Sequence, residues 1–226
     1  PVRELRNTWA WHTGRARWMF IHVPKNAGVT LRKNDELAGR LISADPYFHV
    51  SKRYTASVQS TMRAHGEHHG FQHARWRDLD PRVTARLSCV AVIRNPWART
   101  VSRWQFGLRA VQAGLIARDQ VAGTFGGFLE ERHDYGHREF YWHRAIRGWY
   151  PQRDHVTDLS GAIRCDILRM EHLQEEATRY FGLSKPLLRN NAAPKTGPDW
   201  QSYYTPDMIR TVADWYAADI ETFGFD

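Results

Sequence analysis

The 226-residue sequence lacks the features that define several large classes of protein. Its two cysteines, Cys89 and Cys165, are too few for a disulfide framework and indicate buried free thiols. No run approaches the roughly 20 apolar residues that span a bilayer, and the basic start of the chain has no apolar signal-peptide core. Repeats and low-complexity tracts are also missing. We therefore expect a cytoplasmic, reducing setting without stable membrane insertion, although a chain that begins at Pro1 leaves open an upstream anchor.

The composition predicts one folded domain over 1–226 with a basic surface. Hydrophobic residues make up 42% of the chain, which fits a globular core rather than a disordered segment. Lysine and arginine exceed the acidic residues by 32 to 24, so the field of the protein attracts anions. A nucleic acid, an acidic glycan or a small polyanion would suit this field. Because the basic residues are dispersed rather than clustered in a tract, we expect no nucleic-acid partner.

The first informative motif is an apolar strand that ends in a short polar loop. The strand is predicted over 18–23, the loop reads PKNAG over 24–28, and a helical pattern with leucines on one face follows over 29–41. A strand–loop–helix unit turns backbone N–H groups toward one point, the arrangement that binds a phosphate, and Lys25 adds a positive charge. The usual nucleotide-triphosphate motif G-x-x-x-x-G-K-[ST] does not occur here. The loop is therefore predicted to be a phosphate cradle of another kind.

A second strand–loop–helix unit follows at residues 88–113. Its strand is predicted over 88–93, and Asn95 and Pro96 suit the N-cap and the first position of a helix over 96–113. Arg94 at the strand end and Ser102 two turns into the helix stay polar beside an apolar face. A guanidinium group with a hydroxyl can hold a second phosphate.

The rest of the chain continues the alternation of strands and helices. A helix is predicted near 123–132, a strand over 163–169, a helix over 171–181 that Gly182 ends, and a last helix near 206–223. Residues 1–17 are expected to form an N-terminal extension and 184–200 a mobile loop. The pattern predicts a single-domain α/β fold whose central, mostly parallel sheet is flanked by helices, with ligands at the carboxyl ends of the strands.

Both motifs, in this order, resemble those of the sulfotransferases that use 3′-phosphoadenosine 5′-phosphosulfate, especially the family-2 carbohydrate branch. The stretch FIHVPKNAGVTL is similar to that family's 5′-phosphosulfate loop, PKTAGTSL, and VIRNPWARTVSRW is similar to its 3′-phosphate motif, RNPxxRxxS. The similarity runs from about residue 18 to the end of the chain. It implies a P-loop-like phosphosulfate-binding loop and a metal-independent transfer of a sulfuryl group to a hydroxyl of a carbohydrate or other small acceptor.

The resemblance also implies roles for individual residues. Lys25 would stabilise the leaving group, Gln152 and Arg153 would lie near the acceptor, and Val29 departs from the usual Thr or Ser, leaving Thr30 to supply a hydroxyl. The residues expected to bind the donor are Lys25, Asn26, Ala27, Gly28, Val29, Thr30, Arg94, Ser102 and Lys195.

The base that deprotonates the acceptor is predicted among the histidines of AHGEHHGFQHARW. A histidine can accept a proton near neutral pH. Among uronosyl 2-O-sulfotransferases, which this region resembles, the base lies upstream of the 3′-phosphate arginine, and His73 fits that spacing best. The further candidates for the base are His69, His65 and Glu67, and His69 is also a candidate for acceptor binding.

Three alternatives stay open. His65, His69 and His73 recur at helical spacing, as zinc ligands can, but Gly66 and Gly70 weaken that helix and we expect no metal. The loop would also suit a P-loop kinase-like phosphotransferase, which needs magnesium. The net charge of +8 would also suit a non-enzymatic anion or nucleic-acid binder. Neither the acceptor nor the oligomeric state can be read from the sequence.

Overall fold

The structure is a computed structural model that describes residues 2–43, 60, 73–135, 150–187 and 199–226. Its strands are β1 (Trp18–Ile21), β2 (Leu41–Ser43), β3 (Ser88–Ile93) and β4 (Asp166–Arg169). Its α-helices are α1 (Val2–His12), α2 (Gly28–Arg32), α3 (Pro81–Thr84), α4 (Pro96–Gln112), α5 (Phe125–Tyr135), α6 (Arg153–Val156), α7 (Leu173–Phe181), α8 (Pro206–Trp215) and α9 (Ala217–Phe223). Short 3-10 helices lie at Asp35–Leu37, Trp76–Asp78, Arg118–Gln120, Met170–His172 and Trp200–Tyr203.

The described strands form one parallel sheet in the order β2–β1–β3–β4. The register pairs Ile21 of β1 with Ala91 of β3, and Ile93 with Arg169 of β4. The carboxyl ends of β1 and β3 are therefore neighbours at one edge of the sheet, and the two predicted motifs follow these two strands. This arrangement confirms the α/β fold with a parallel sheet.

The chain divides into two compact units. Pro1–Ile93 together with Gln152–Ala192 make the unit that contains the sheet, and Arg94–Pro151 together with Ala193–Asp226 make the other. That 1–226 is a single domain stays a prediction.

The sheet unit has a core built on one face of the sheet. Phe20, Val90 and Val92 project from the strands and pack against residues of α7 such as Ala177 and Phe181. Trp18 contacts Phe181 edge to face, with ring centroids 5.1 Å apart. These contacts bury the apolar face of a helix that Gly182 ends in a left-handed conformation, as predicted.

The second unit is organised around α4, whose ends agree closely with the prediction. Asn95 Oδ1 accepts a hydrogen bond from the backbone N–H of Ala98 at 3.1 Å, and Pro96 takes the first helical position. The Trp97 indole donates to the Ile209 carbonyl at 3.0 Å, and the Tyr204 hydroxyl donates to the Trp97 carbonyl at 2.9 Å. These bonds attach α8 and the segment before it to α4.

Three predicted elements differ from the structure. The helix expected over 29–41 is wrong: α2 ends at Arg32, and a 3-10 helix at Asp35–Leu37 and strand β2 follow. Asn34 causes the break, because its side chain accepts hydrogen bonds from the backbone N–H groups of Glu36 and Leu37.

The other two differences lie at helix and strand ends. The last helix is interrupted at Tyr216, which separates α8 from α9. Strand β4 begins at Asp166 rather than 163, with Ile163 bridging Thr157 instead. In addition, α1 occupies most of the segment predicted as an extension. No helix in the described ranges combines the length and apolar character that crossing a membrane requires.

Candidate functional site

The loop between β1 and α2 has an unusual backbone. Lys25 and Ala27 have φ angles of 69° and 54°, and they are the non-glycine residues of the described chain with positive φ. Such a conformation costs an L-residue about 1–2 kcal/mol. Asn26 and Gly28 have φ of the opposite sign. Backbone that alternates between right- and left-handed conformations can form a nest of N–H groups that binds an anion.

The side chain of Asn26 holds this strained loop in place. It is fully buried, and its Nδ2 donates to the Val92 carbonyl at 2.8 Å and to Gln152 Oε1 at 2.6 Å. One bond therefore ties the loop to β3 and the other to the residue that precedes α6. A strained backbone persists when its surroundings fix it, and strain of this kind concentrates at ligand sites.

Gln152 is also fully buried, and its side-chain oxygen is used to hold Asn26. This contact makes it a support of the loop. Its predicted place near the acceptor stays a prediction, as does that of Arg153, which is half-buried. The guanidinium of Arg153 faces the turn at Gly161, where an added Cβ would come within 3.0 Å of its Nη2.

His73 lies in the same unit as the loop and contacts the residue that follows β1. Its Nδ1 is 2.8 Å from the His22 carbonyl oxygen, and the two imidazole rings have centroids 4.4 Å apart. Because a carbonyl oxygen only accepts, His73 Nδ1 must carry the hydrogen and donate it. In the neutral ring Nε2 is then the basic nitrogen, as a general base requires.

The second motif lies in the other unit and begins directly after β3. Arg94 and Ser102 are both half-buried, with Ser102 at the end of the second turn of α4. Asn95 is occupied as the N-cap. The side chains expected to hold a second phosphate thus come from the start of α4 and the residues that precede it.

The second motif also contains an arginine whose side chain is buried in the protein interior. Arg99 is 1% exposed, its Nη1 donates to the Tyr150 carbonyl at 3.1 Å, and its guanidinium carbon is 5.8 Å from the Tyr216 ring centroid. Burial lowers the pKa of Arg99, and the nearby Tyr216 and Asp219 act in the opposite direction. One turn further along, burial and the charge of Arg99 lower the pKa of Arg103 to about 9. Arg99 is therefore a structural member of the motif.

The remaining predicted site residues are distributed as follows. Gly28 is buried, and Val29 and Thr30 are half-buried in the first turn of α2. His65, Glu67, His69 and Lys195 lie outside the described residues, together with His68. Within the ranges that the structure describes, no group of three or more His, Cys, Asp or Glu side chains is arranged to hold a metal ion.

Both cysteines are buried and free, as predicted. Burial raises the pKa of Cys89 to about 11, and burial together with the neighbouring Cys89 raises the pKa of Cys165. Thiolates are the nucleophilic form of cysteine. These two thiols therefore suit packing rather than chemistry.

Sequence reasoning missed His22, which touches both the loop and His73. An added Cβ on Gly28 would lie 2.0 Å from His22 Nε2, so the ring occupies the space beside that glycine. A histidine at the end of an apolar strand was the one available signal, since polar residues at the carboxyl ends of parallel strands often serve a site. The contacts themselves depend on the tertiary fold.

Comparison of the chain with models of known protein families, with curated proteins and with solved structures finds no match in any of the three.

Proposed function

We propose that this protein is a metal-independent sulfotransferase of a reducing, cytoplasmic compartment. It would transfer a sulfuryl group from 3′-phosphoadenosine 5′-phosphosulfate to a hydroxyl of a carbohydrate or another small acceptor. The other product would be adenosine 3′,5′-bisphosphate.

The proposal rests on the strained loop after β1 and on His73 beside His22. The hydrogen on His73 Nδ1 leaves Nε2 as the basic nitrogen. The left-handed conformations of Lys25 and Ala27 are held by a fully buried Asn26 at the carboxyl end of β1. Backbone strain of this kind concentrates at ligand sites, and the ligand that backbone N–H groups bind is an anion. The resemblance of the loop to a phosphosulfate-binding motif specifies which anion.

The proposed reaction assigns one step to each of two side chains. The acceptor oxygen attacks sulfur as its proton passes to His73 Nε2, and the bond between sulfur and the bridging oxygen breaks. The electron pair of that bond stays on the 5′-phosphate, where the Lys25 ammonium stabilises the developing charge. No oxidation state changes, and the proton stays on His73 until solvent removes it.

The second motif would select this donor over ATP. Arg94 offers a guanidinium fork and Ser102 a hydroxyl, which together suit the 3′-phosphate that ATP lacks.

The first experiment measures thermal unfolding of the protein with adenosine 3′,5′-bisphosphate and with ATP, each with and without magnesium. We expect the bisphosphate to raise Tm without magnesium and ATP to have little effect. Labelled sulfate should then pass from the donor to members of a panel of sugars, phenols and amines.

The contrary outcomes are equally specific. Stabilisation by ATP only when magnesium is present would indicate a kinase-like phosphotransferase instead. Steeply salt-dependent binding of DNA or RNA, with no sulfate transfer to any acceptor, would indicate a non-enzymatic binder.

A single variant tests the base. His73→Ala should lower the transfer rate by about 10²–10⁴-fold while the affinity for the bisphosphate changes little, because a general base acts on the acceptor. If His69→Ala has this effect and His73→Ala does not, the assignment of the base is wrong.

A further inference from the structure

We infer that His22 is a positioning residue whose imidazole ring sets the distance between the donor loop and the His73 base. The inference rests on the proposed function, since it concerns the same loop and the same base. His22 follows the last residue of β1, is 8% exposed, and contacts both partners.

The contact with the loop explains why residue 28 is glycine. An ideal Cβ on Gly28 would lie 2.0 Å from His22 Nε2, 2.2 Å from Cδ2 and 2.7 Å from Cε1. Gly28 does not have a positive φ, so its backbone conformation is open to any residue. The ring of His22, rather than the backbone, therefore excludes a side chain at the position where α2 begins.

The contact with the base involves both the main chain and the ring of His22. Its carbonyl oxygen accepts the hydrogen bond from His73 Nδ1, and the two rings pack with centroids 4.4 Å apart and planes inclined by 45°. Phe20 stacks on the His22 ring from within β1, with centroids 5.6 Å apart. The ring is thus held by a rigid strand and lies against both His73 and Gly28.

This arrangement makes His22 a spacer between the two reacting groups. The donor is proposed to lie on the N–H groups of the loop, and the base must reach an acceptor oxygen in line with the sulfur. A displacement of about 1 Å between reacting groups can cost 10²-fold in rate. Loss of the His22 ring would let both the loop and His73 relax into the vacated volume.

The test is a double-mutant cycle with His22→Ala and Gly28→Ala. A separate variant, His22→Phe, is the control that keeps a ring at this position. We expect His22→Ala to lower kcat by about 10-fold or more, with a smaller change in the affinity for adenosine 3′,5′-bisphosphate. His22→Phe keeps a flat ring without nitrogen atoms and should restore most of the lost kcat. A residue that only stabilised the fold would not produce this separation of kcat from binding.

The cycle supplies the second readout. Gly28→Ala alone should lower Tm and the affinity for the bisphosphate, because its methyl group meets the His22 ring. In the His22→Ala background the same substitution should have much less effect, since the space is free, and this non-additivity measures the contact.

The outcomes separate this inference from the proposed function. Wild-type protein that neither binds the bisphosphate nor transfers sulfate would overturn the proposed function and, with it, the role of His22. Wild-type protein that does both, with kcat unchanged in His22→Ala or with equal losses in His22→Ala and His22→Phe, would overturn the spacer role alone. Additive effects of His22→Ala and Gly28→Ala on Tm would contradict the contact.

Discussion

Asn26 donates a hydrogen bond to the side-chain oxygen of Gln152 over 2.6 Å, although the two residues are 126 positions apart in the chain. Both side chains are fully buried. The bond connects the strained loop after β1 to the start of α6. Asn26 holds the loop directly, and Gln152 holds it through Asn26. We call this pair of side chains the clamp.

Replacing Gln152 with alanine should loosen this clamp. We expect Gln152→Ala to lower the free energy of unfolding by about 1–3 kcal/mol, because a buried hydrogen-bonding group loses a partner. The affinity for adenosine 3′,5′-bisphosphate should fall as well, since the loop is no longer fixed. Chemical denaturation and nucleotide titration measure the two effects.

Gln174 provides the matched control for this variant. It is exposed on α7, and its side-chain oxygen accepts from the backbone N–H of Leu187 at 2.8 Å. Gln174→Ala should affect stability slightly and nucleotide affinity not at all. If Gln152→Ala binds the nucleotide as wild type does, the clamp has no part in donor binding.

The features of the fold that depend on neighbouring residues could be predicted from the sequence. The strand before Arg94, the N-cap at Asn95 and the end of α7 at Gly182 depend on neighbouring residues, and each prediction is confirmed. The helix expected over 29–41 failed because Asn34 competes for backbone N–H groups within a pattern that otherwise suits a helix.

The support of the candidate site could not be predicted in the same way. Asn26 and Gln152, like His22 and His73, are distant in the sequence and meet only in the tertiary fold. The sequence indicated that the loop was special, through the run PKNAG after an apolar strand. It contained no local signal for the side chains that hold the loop.

Substitution of Lys25 by glycine should lower activity without lowering stability. Lys25→Gly removes the ammonium group but also relieves the left-handed backbone, which costs a non-glycine residue about 1–2 kcal/mol. We therefore expect stability equal to or above that of wild type, while sulfate transfer falls by about 10²–10³-fold. Thermal unfolding and initial rates give the two numbers.

The exposed Lys33 just beyond α2 is the control for charge. Lys33→Gly should leave the transfer rate near that of wild type. A Lys25→Gly enzyme that retained normal turnover would show that the strained lysine does not act on the leaving group.

Arg94 should determine affinity for the donor more than the rate of transfer. Arg94→Ala removes a charged hydrogen-bond partner of the proposed 3′-phosphate, so we expect affinity for the bisphosphate to fall by about 10–100-fold. Arg94→Lys should recover part of this loss, since it keeps the charge without the fork. Calorimetric titration measures both, with Arg109→Ala at an exposed site on α4 as control. Affinity that is the same in Arg94→Ala and in wild type would exclude this residue from the pocket.

Arg99 should matter for stability instead. Its guanidinium is buried and donates to the Tyr150 carbonyl at 3.1 Å. Arg99→Met removes a buried donor to the Tyr150 carbonyl, and a buried group left without its partner typically costs about 1–3 kcal/mol. Arg109→Met on the exposed face should stay within about 0.5 kcal/mol of wild type. Denaturant unfolding that gave similar values for both variants would show that Arg99 adds nothing to the interior.

Glu36 predicts how stability depends on pH. Its carboxylate accepts hydrogen bonds from the backbone N–H and hydroxyl of Ser184 at 2.8 and 2.9 Å and from the backbone N–H of Lys185 at 3.0 Å. These hydrogen bonds lower the pKa of Glu36 from its ordinary value of 4.5, and the bond from the Ser184 N–H has the largest effect. A group with a lowered pKa in the folded state stabilises the protein fully above its unfolded pKa and loses that effect as the pH falls through the folded value.

Glu36→Gln should therefore unfold at a lower Tm than wild type at pH 7, and the two proteins should converge as the pH falls from the ordinary pKa of 4.5 through the lower folded value. Thermal scans from pH 7 to pH 3 measure this difference, and Glu175→Gln, at an exposed site on α7, is the control. Ser184 and Lys185 begin the segment predicted as a loop over 184–200, so the carboxylate holds the start of that segment against the residues that follow α2. A difference in Tm that stayed constant across this pH range would mean that the charge of Glu36 is not what holds the segment.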